Sequence, residues 1–464
     1  MAWSTNEILA ATGGNLIRKG KQTRFGEIVT DSTKVKRGSV FVALKGQRLD
    51  GHRFISAAVR RGARCVIVHR AVGGSSIGNA AVVRVADTLR ALGDLAHHRR
   101  EQFAPKVLAI TGSNGKTTTK EMVASILEAA SLDGQPLRGK VLKTEGNFNN
   151  LVGLPLTLLR LRKSDAVAVV ELGTNHPGEI KRLAEIADPD MGIITSVAAA
   201  HLEGLNSLAG VAREKGALYR KVRIGGTIAV NLDDPWVRRL GGQFKGRKIT
   251  YGARGEVRAE SWRSRSAKGV LFVLRAGRRK TRVRLNFVGR HNITNAVGAA
   301  TLAYGLGVSL PAIRRGLESA KPFPMRMQIE DWNGIGIIND AYNANPASME
   351  AAVKALAEIE CAGEKIAILG DMFELGAQAR KEHLQLGRRV AAARLDRLYL
   401  LGSQAPQVKK GALEEGMPPD RVWIGKDHGD VAGHLLTHIK KGDWLLFKGS
   451  RGMNMEKILF ELKG

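Results

Sequence analysis

The run Val107-Leu-Ala-Ile-Thr-Gly-Ser-Asn-Gly-Lys-Thr-Thr-Thr119 constrains this chain more than any other stretch. It reads as an apolar strand, a tight glycine turn and a helix that opens on a lysine and hydroxyls, the build of a nucleotide-phosphate cradle. Gly112 and Gly115 let the backbone curl so that its N–H groups point inward, with Ser113 and Asn114 between them. Lys116 can reach the β- and γ-phosphates, and the Thr117 hydroxyl, followed by Thr118, can ligate Mg²⁺. Ile110 stands where the longer form of such a loop carries its first glycine, so this is the shorter Gly-x-x-Gly-Lys-Thr version.

A length of 464 residues, 44% of them hydrophobic, is enough for about three domains with their own cores. Two polar, proline-marked joints, residues 97–105 and 319–324, divide the chain into segments 1–104, 105–320 and 321–464. The first segment pairs the strand-like stretches 40–44 and 65–68 with a helix-like stretch at 54–59. In the second, apolar strands alternate with helical patterns, which predicts a mostly parallel sheet covered by helices. The third alternates strands at 335–338, 366–369 and 444–447 with helices, a Rossmann-like pattern without the dinucleotide fingerprint. The expected fold is therefore α/β: a central parallel-sheet phosphate-loop domain, flanked by a small α/β N-terminal domain and a Rossmann-like C-terminal one.

Cys65 and Cys361 are too few for a disulfide framework or a cysteine metal site, so both are expected to be reduced core thiols in a cytoplasmic protein. No basic and apolar leader opens the sequence, and eighteen consecutive apolar residues occur nowhere, so no transmembrane segment is expected. The net charge of +30 alone suggests a polyanionic partner. Its densest stretch, residues 254–290, holds twelve Lys or Arg against Glu256 and Glu260 and alternates like solvent-facing hairpin strands. Aromatic residues are only 5% and do not interleave with the cations for base stacking, so a solvated basic face is expected and nucleic acid is not.

Ligands of open parallel sheets sit beyond the carboxyl ends of the strands. In the central segment, Glu171 follows the apolar run 166–170, and His201 follows the run 191–197 by a few residues. A hydroxyl, a carboxylate and an imidazole can thus meet at one sheet edge beside the phosphate loop, a donor set suited to Mg²⁺ next to a triphosphate. Taken singly, Glu171 also reads as a surface strand end and His201 as a hydrogen-bonded or capping histidine.

The phosphate loop, Glu145-Gly-Asn-Phe-Asn-Asn150, Glu171-Leu-Gly, Ala198-Ala-Ala-His-Leu-Glu203, Gly289-Arg-His-Asn-Ile-Thr-Asn295, Asp340-Ala-Tyr-Asn-Ala-Asn-Pro346 and Lys448-Gly-Ser-Arg451 closely resemble, in order and spacing, the motifs of the Mur ligases. The resemblance spans nearly the whole chain. It implies ATP and Mg²⁺ as cofactors, an N-terminal domain holding a UDP-sugar, and a C-terminal domain that closes over the ATPase domain. The Asp340–Pro346 motif, where sister ligases carry a histidine version, together with Gly146-Asn-Phe-Asn-Asn, implies the branch whose substrates are UDP-N-acetylmuramoyl-tripeptide and D-Ala-D-Ala, joined through an acyl phosphate. The same resemblance makes Asn292 and Asn295 adenine-side residues, and Arg326 and Asp340 contacts to ATP phosphate and ribose. Ser32, Lys45 and Gly46 become UDP contacts, although an arginine commonly stands at the place of Thr33. Asn147, Asn150, Tyr342, Asn343, Lys448 and Arg451 become substrate contacts. Lys215, on a helix-like stretch after His201, matches a lysine that the family carries as a carbamate, an anion able to support a metal; by residue alone it is a solvated helix lysine. The implied catalytic set is Lys116, His201 and Lys215. Two other readings are a folylpolyglutamate synthase-like ligase, whose usual C-terminal histidine motif is missing here, and a basic ATPase acting with nucleic acid.

Overall fold

The computed structural model describes residues 2–46, 49–73 and 77–464. Its three main sheets follow one another along the sequence. The first has the order Asn15–Arg18, Ala81–Arg84, Cys65–Val68, Val40–Val42, Ile28–Val29, with only the first pair antiparallel. The central sheet has nine strands in the order Val141–Lys143, Val167–Glu171, Lys106–Thr111, Met191–Ile194, Thr227–Asn231, Arg247–Tyr251, Val257–Ser264, Val270–Ala276, Arg279–Leu285. Its first seven strands run parallel and its last two pairings are antiparallel. The third sheet is parallel except for the edge pair Gln328–Trp332 and Ile335–Asn339, and it continues through Trp444–Lys448, Lys365–Gly370, Arg397–Leu401 and Val422–Ile424. Strands buried on both faces, such as Val167–Glu171 and Ile335–Asn339, are apolar nearly throughout, as a helix-covered parallel sheet requires.

Strand order decides where chemistry can collect. Lys106–Thr111 lies between Val167–Glu171 and Met191–Ile194, with Ile110 opposite Glu171 and Thr111 opposite Ile194. The phosphate loop, Glu171 and the segment from Thr195 onward therefore leave the sheet side by side at its carboxyl edge.

Most of the first proline-marked joint is helical. The helix Thr88–Phe103 runs through most of it and stops only at Ala104, whose φ of 45° breaks the helix before Pro105. The charged residues that suggested a linker are used in packing. Arg100 is buried, donating to the carbonyls of Ala187 and Asp188 and to the Asp190 carboxylate at 3.1 Å. Asp190 in turn accepts the backbone N–H of Val107, so the helix end is tied to the root of the phosphate-loop strand. The second joint is irregular chain after the helix Leu310–Ser319, as expected. Cys65 is buried, with its thiol pushed up to about 12 by burial, and Cys361 is half-buried; neither is disulfide-bonded.

At the other end of the helix Thr88–Phe103, the Asp87 carboxylate accepts from the N–H groups of Leu89 and Arg90. Asp87→Ala should therefore lower stability by about 1 kcal/mol, whereas Asp87→Asn, which keeps a capping oxygen, should cost much less. Denaturant titration of both variants distinguishes the cap from a mere change of charge.

Candidate active site

The phosphate loop closes against the neighbouring strand exit. Gly112 has φ 151° and Gly115 φ 81°, and a Cβ at either would lie 1.9 Å from Thr195 Oγ1 or 2.2 Å from Asn295 Oδ1. Only glycine permits both the turn and the approach. Ser113 N–H donates to Ser196 O, Asn114 N–H to Ser196 Oγ, and Thr195 Oγ1 to Asn114 O, which fixes the loop on both sides. The helix Lys116–Glu128 then starts with no side-chain cap, leaving its first N–H groups and its dipole facing the cavity. Lys116 is folded back, Nζ to Gly112 O at 2.7 Å. Burial holds its pKa below the usual lysine value; Glu171 acts in the opposite sense and Arg326 in the same one, so all three groups share one electrostatic neighbourhood.

Glu171, 1% exposed, accepts from the Thr117 hydroxyl at 2.8 Å and from Asn149 Nδ2 at 2.8 Å. This pair of hard oxygen ligands beside the phosphate loop fits Mg²⁺. His201 faces the same cavity from a left-handed position, φ 56°, with Nδ1 held 2.6 Å from Glu374 of the third domain. Among the described residues, no three His, Cys, Asp or Glu side chains form a metal-binding group. Lys215 lies on the helix Leu208–Lys221, 1% exposed and, among the described residues, without a side-chain hydrogen bond or salt bridge. Burial and the Lys116 ammonium drive its pKa well below that of an ordinary lysine, with Glu214 acting in the opposite sense.

A cavity of about 710 Å³ joins the carboxyl edges of the central and third sheets. From the central domain it takes Ser113 to Lys116, Thr118, Asn147, Asn149, Asn150, Glu171, His201, Asn292 and Asn295, and from the third domain Arg326, Asp340, Tyr342, Asn343, Lys448 and Arg451. Asn295 donates to Asn292 Oδ1, and Asn292 to Val288 O, so their polar ends are positioned by the start of the helix His291–Gly305. The Arg326 guanidinium lies 4.0 Å from the Tyr342 ring centroid, and its buried Nε makes no hydrogen bond among the described residues, an orphaned donor that fits an anionic group. Asp340 accepts from Met327 N–H and from Lys448, which also donates to Asn343 O. Lys448 is thus already paired inside its own domain, and Arg451 pairs with Glu456 at 2.8 Å. Asn150 accepts from Val152 and Gly153 N–H, a helix-capping task.

Models of the Mur ligase family match three stretches: the catalytic domain at residues 24–100, the middle domain at 110–303 and the glutamate ligase domain at 325–451. The chain is 34% identical over 445 residues to the UDP-N-acetylmuramoyl-tripeptide–D-alanyl-D-alanine ligase of Bacillus subtilis, covering 95% of this chain and 94% of that one. The chain belongs to the Mur ligase family. Its structure is similar to the crystal structure of MurF from Acinetobacter baumannii, with TM-score 0.92, 35% identity and coverage of 100% and 99%. It is also similar to the MurF ligase of Thermotoga maritima in complex with ADP, with TM-score 0.83, 29% identity and coverage of 94% and 97%. The three-domain α/β architecture expected from the sequence is that of this family.

Ser32, Lys45 and Gly46 stand apart from the cavity. Ser32 begins a short turn capped by Asp31 after the strand Ile28–Val29, and Lys45 follows the adjacent strand Val40–Val42, so the two loops meet at the carboxyl edge of the first sheet. Lys45 forms an antiparallel backbone bridge with Asp50, and Gly46 N–H donates to Leu49 O. Sequence reasoning passed over Asn149, which lies inside a motif it had singled out, and Glu374, which follows a third-domain strand end. It also passed over Asn345, whose Nδ2 donates to Asn114 Oδ1 at 2.7 Å.

His291, at the head of its helix, has its pKa pushed down to about 4 by burial, with Asp340 pulling it up and Lys448 down. The unfolded chain binds that proton near pH 6.5, so the neutral ring contributes stability above this value that is lost as pH falls toward 4. The loss approaches about 1.4 kcal/mol per pH unit at most. His291→Gln should show a shallower decline in unfolding free energy between pH 6.5 and 4; equal slopes in the two proteins would contradict this assignment.

Proposed function

We propose that this chain is an ATP-dependent ligase that joins D-alanyl-D-alanine to UDP-N-acetylmuramoyl-tripeptide, giving the pentapeptide precursor of peptidoglycan. The observation that carries the reading is a single cavity in which the phosphate loop and Glu171 face the third domain's Arg326, Asp340 and Lys448, in a chain similar along its length to ligases of that name. No observation favours the folate-directed or nucleic-acid readings.

A carboxylate is a poor electrophile, so the tripeptide's terminal carboxylate oxygen first attacks the γ-phosphorus of ATP, and ADP leaves. The dipeptide amine then attacks the acyl carbon, phosphate departs and the amine proton is released. Lys116, released from Gly112 O, donates to the phosphoryl group in flight, and its half-buried position strengthens the interaction. Thr117 and Glu171 would hold Mg²⁺, with His201 and a carbamylated Lys215 in support; when bound, the ion supplies positive charge for the developing phosphate charge. In this reading Asn292 and Asn295 face the adenine, Arg326 and Asp340 the ATP phosphates and ribose, and Ser32, Lys45 and Gly46 the UDP. Asn147, Asn150, Tyr342, Asn343, Lys448 and Arg451 face the peptide substrates. The domain limits proposed are 1–104, 105–320 and 321–464.

ADP release should require both the UDP-linked tripeptide and D-Ala-D-Ala, and Lys116→Ala should lower kcat by about 10²–10³ or more while leaving the protein folded. Measuring ADP against a panel of UDP-muramoyl peptides, amino acids and dipeptides tests this. Extension of the tripeptide by a single glutamate, or full activity in the variant, would exclude the reading.

The second expectation concerns Lys215. Its burial favours the neutral amine, whose Nζ lone pair can bond to the carbon of CO₂ with release of a proton, leaving an anionic carbamate in place of a repelled ammonium. Lys215→Ala should lose most activity and regain part of it with added short carboxylates. Unchanged activity would remove Lys215 from the site.

A further inference from the structure

Half of the chain's net charge lies in residues 238–290, which hold seventeen Lys or Arg against Glu256 and Glu260. None of these residues lines the cavity between the central and third domains, so this charge does not serve the nucleotide or the peptide there. Its setting is the antiparallel end of the central sheet. One face of those strands, with Val270, Phe272, Leu274, Val283 and Leu285, packs into the core beneath the helices His291–Gly305 and Leu310–Ser319. Strand alternation sends the intervening residues to the opposite, solvated face. There Leu271 sits between Arg263 and Arg284, Val273 lies opposite Arg282, and Arg275 sits between Arg258 and Lys280. Glu260 takes up Arg258 and Arg275. The side chains of Arg263, Lys280, Arg282 and Arg284 are exposed and form no salt bridge or hydrogen bond among the described residues.

We propose that this face docks the enzyme peripherally on an anionic phospholipid bilayer. The surface presents four exposed cations without salt bridges on three adjacent strands, around the half-buried side chains of Leu271 and Val273, which suits a sheet of phosphates over an apolar interior. The hairpin aromatic Trp262, 40% exposed, pairs in register with Phe272 of the inner face and lies against Arg290, so it does not stand among the outer rows of cations as a stacking platform for bases. Each Lys or Arg held near an anionic leaflet raises partitioning about fivefold, and the attraction fades within a Debye length. Four such groups share one face of the sheet. This inference stands independently of the ligation chemistry.

The test is co-sedimentation of the full chain with phosphatidylcholine vesicles, with and without about one third phosphatidylglycerol, at low salt and at about 0.5 M salt. The wild type should pellet with the anionic vesicles alone and be released by salt. R263E/R282E/R284E should bind at least about 10²-fold more weakly while ligating at the wild-type rate. K19E/K381E/K457E, with the same change of charge at exposed positions elsewhere, should still bind. Wild-type protein that ignores the anionic vesicles, a sheet variant that binds like wild type, or a short DNA duplex that strips the protein from vesicles at equal phosphate concentration would each overturn the proposal.

Discussion

Burying the Glu171 carboxylate costs several kcal/mol unless charge and hydrogen bonds compensate it, and much of the surrounding architecture supplies that compensation. Thr117 donates from the first turn of the loop helix, and Asn149 from the loop after Val141–Lys143. The backbone N–H of Glu171 goes to Thr144 Oγ1, and the same Thr144 accepts from the buried Lys120 ammonium through its carbonyl. The carboxylate thus joins the phosphate-loop helix to the loop after Val141–Lys143, and the residue's backbone holds Thr144 at the same strand edge. A hydrophobic residue there would fold as well or better, so a buried acid at this point is a functional feature that the fold tolerates by surrounding it with donors.

The third domain meets this edge through few and polar contacts. Asn345 reaches Asn114, Glu374 reaches His201, and Glu203 N–H donates to Glu374 O. Beside these polar contacts, Val288 of the central domain is buried in the third domain's apolar cluster, so packing joins the two domains as well. Each contact also lands on a phosphate-loop or strand-end residue, so the position of the third domain and the geometry around the nucleotide pocket are mechanically linked. Arg326 and Lys448 are carried on that domain and line the same cavity as Lys116 and Glu171.

Local chemistry was legible in the sequence where a backbone requirement and a side-chain requirement coincide. The loop at 112–117 needs glycines for its path and a lysine and hydroxyl for its ligand, so composition and spacing announce it together. Strand ends such as Glu171 follow from sheet topology, which hydrophobic patterning predicts well. Residues 97–105 are polar in sequence, yet Arg100 among them is buried and hydrogen-bonded to carbonyls far away in sequence, which polarity alone does not encode. Glu374 and Asn345 escaped for a related reason: their partners lie across a domain interface, and no local pattern encodes a contact between His201 and a residue 173 positions later. The depressed pKa of Lys215 was equally invisible, since an amphipathic helix alone does not say how much protein covers its inner face.

The charge distribution separates what the molecule does from where its excess charge sits. Several cations around the cavity are largely matched before any substrate arrives: Lys448 by Asp340, Arg451 by Glu456, and Lys116 by proximity to Glu171. Selectivity for phosphate and carboxylate groups therefore rests on placed donors at short range, where a low dielectric makes each one strong, and not on a diffuse positive field. The hairpin face is the converse case, with cations in high dielectric, unpaired and individually weak, whose effect depends on many acting together against one extended surface. A net charge of +30 read from composition merges these two regimes. Only their placement on opposite sides of the sheet's chemistry, one at the carboxyl edge and one on the outer face of the antiparallel strands, shows that the catalytic site and the basic surface answer to different physical requirements.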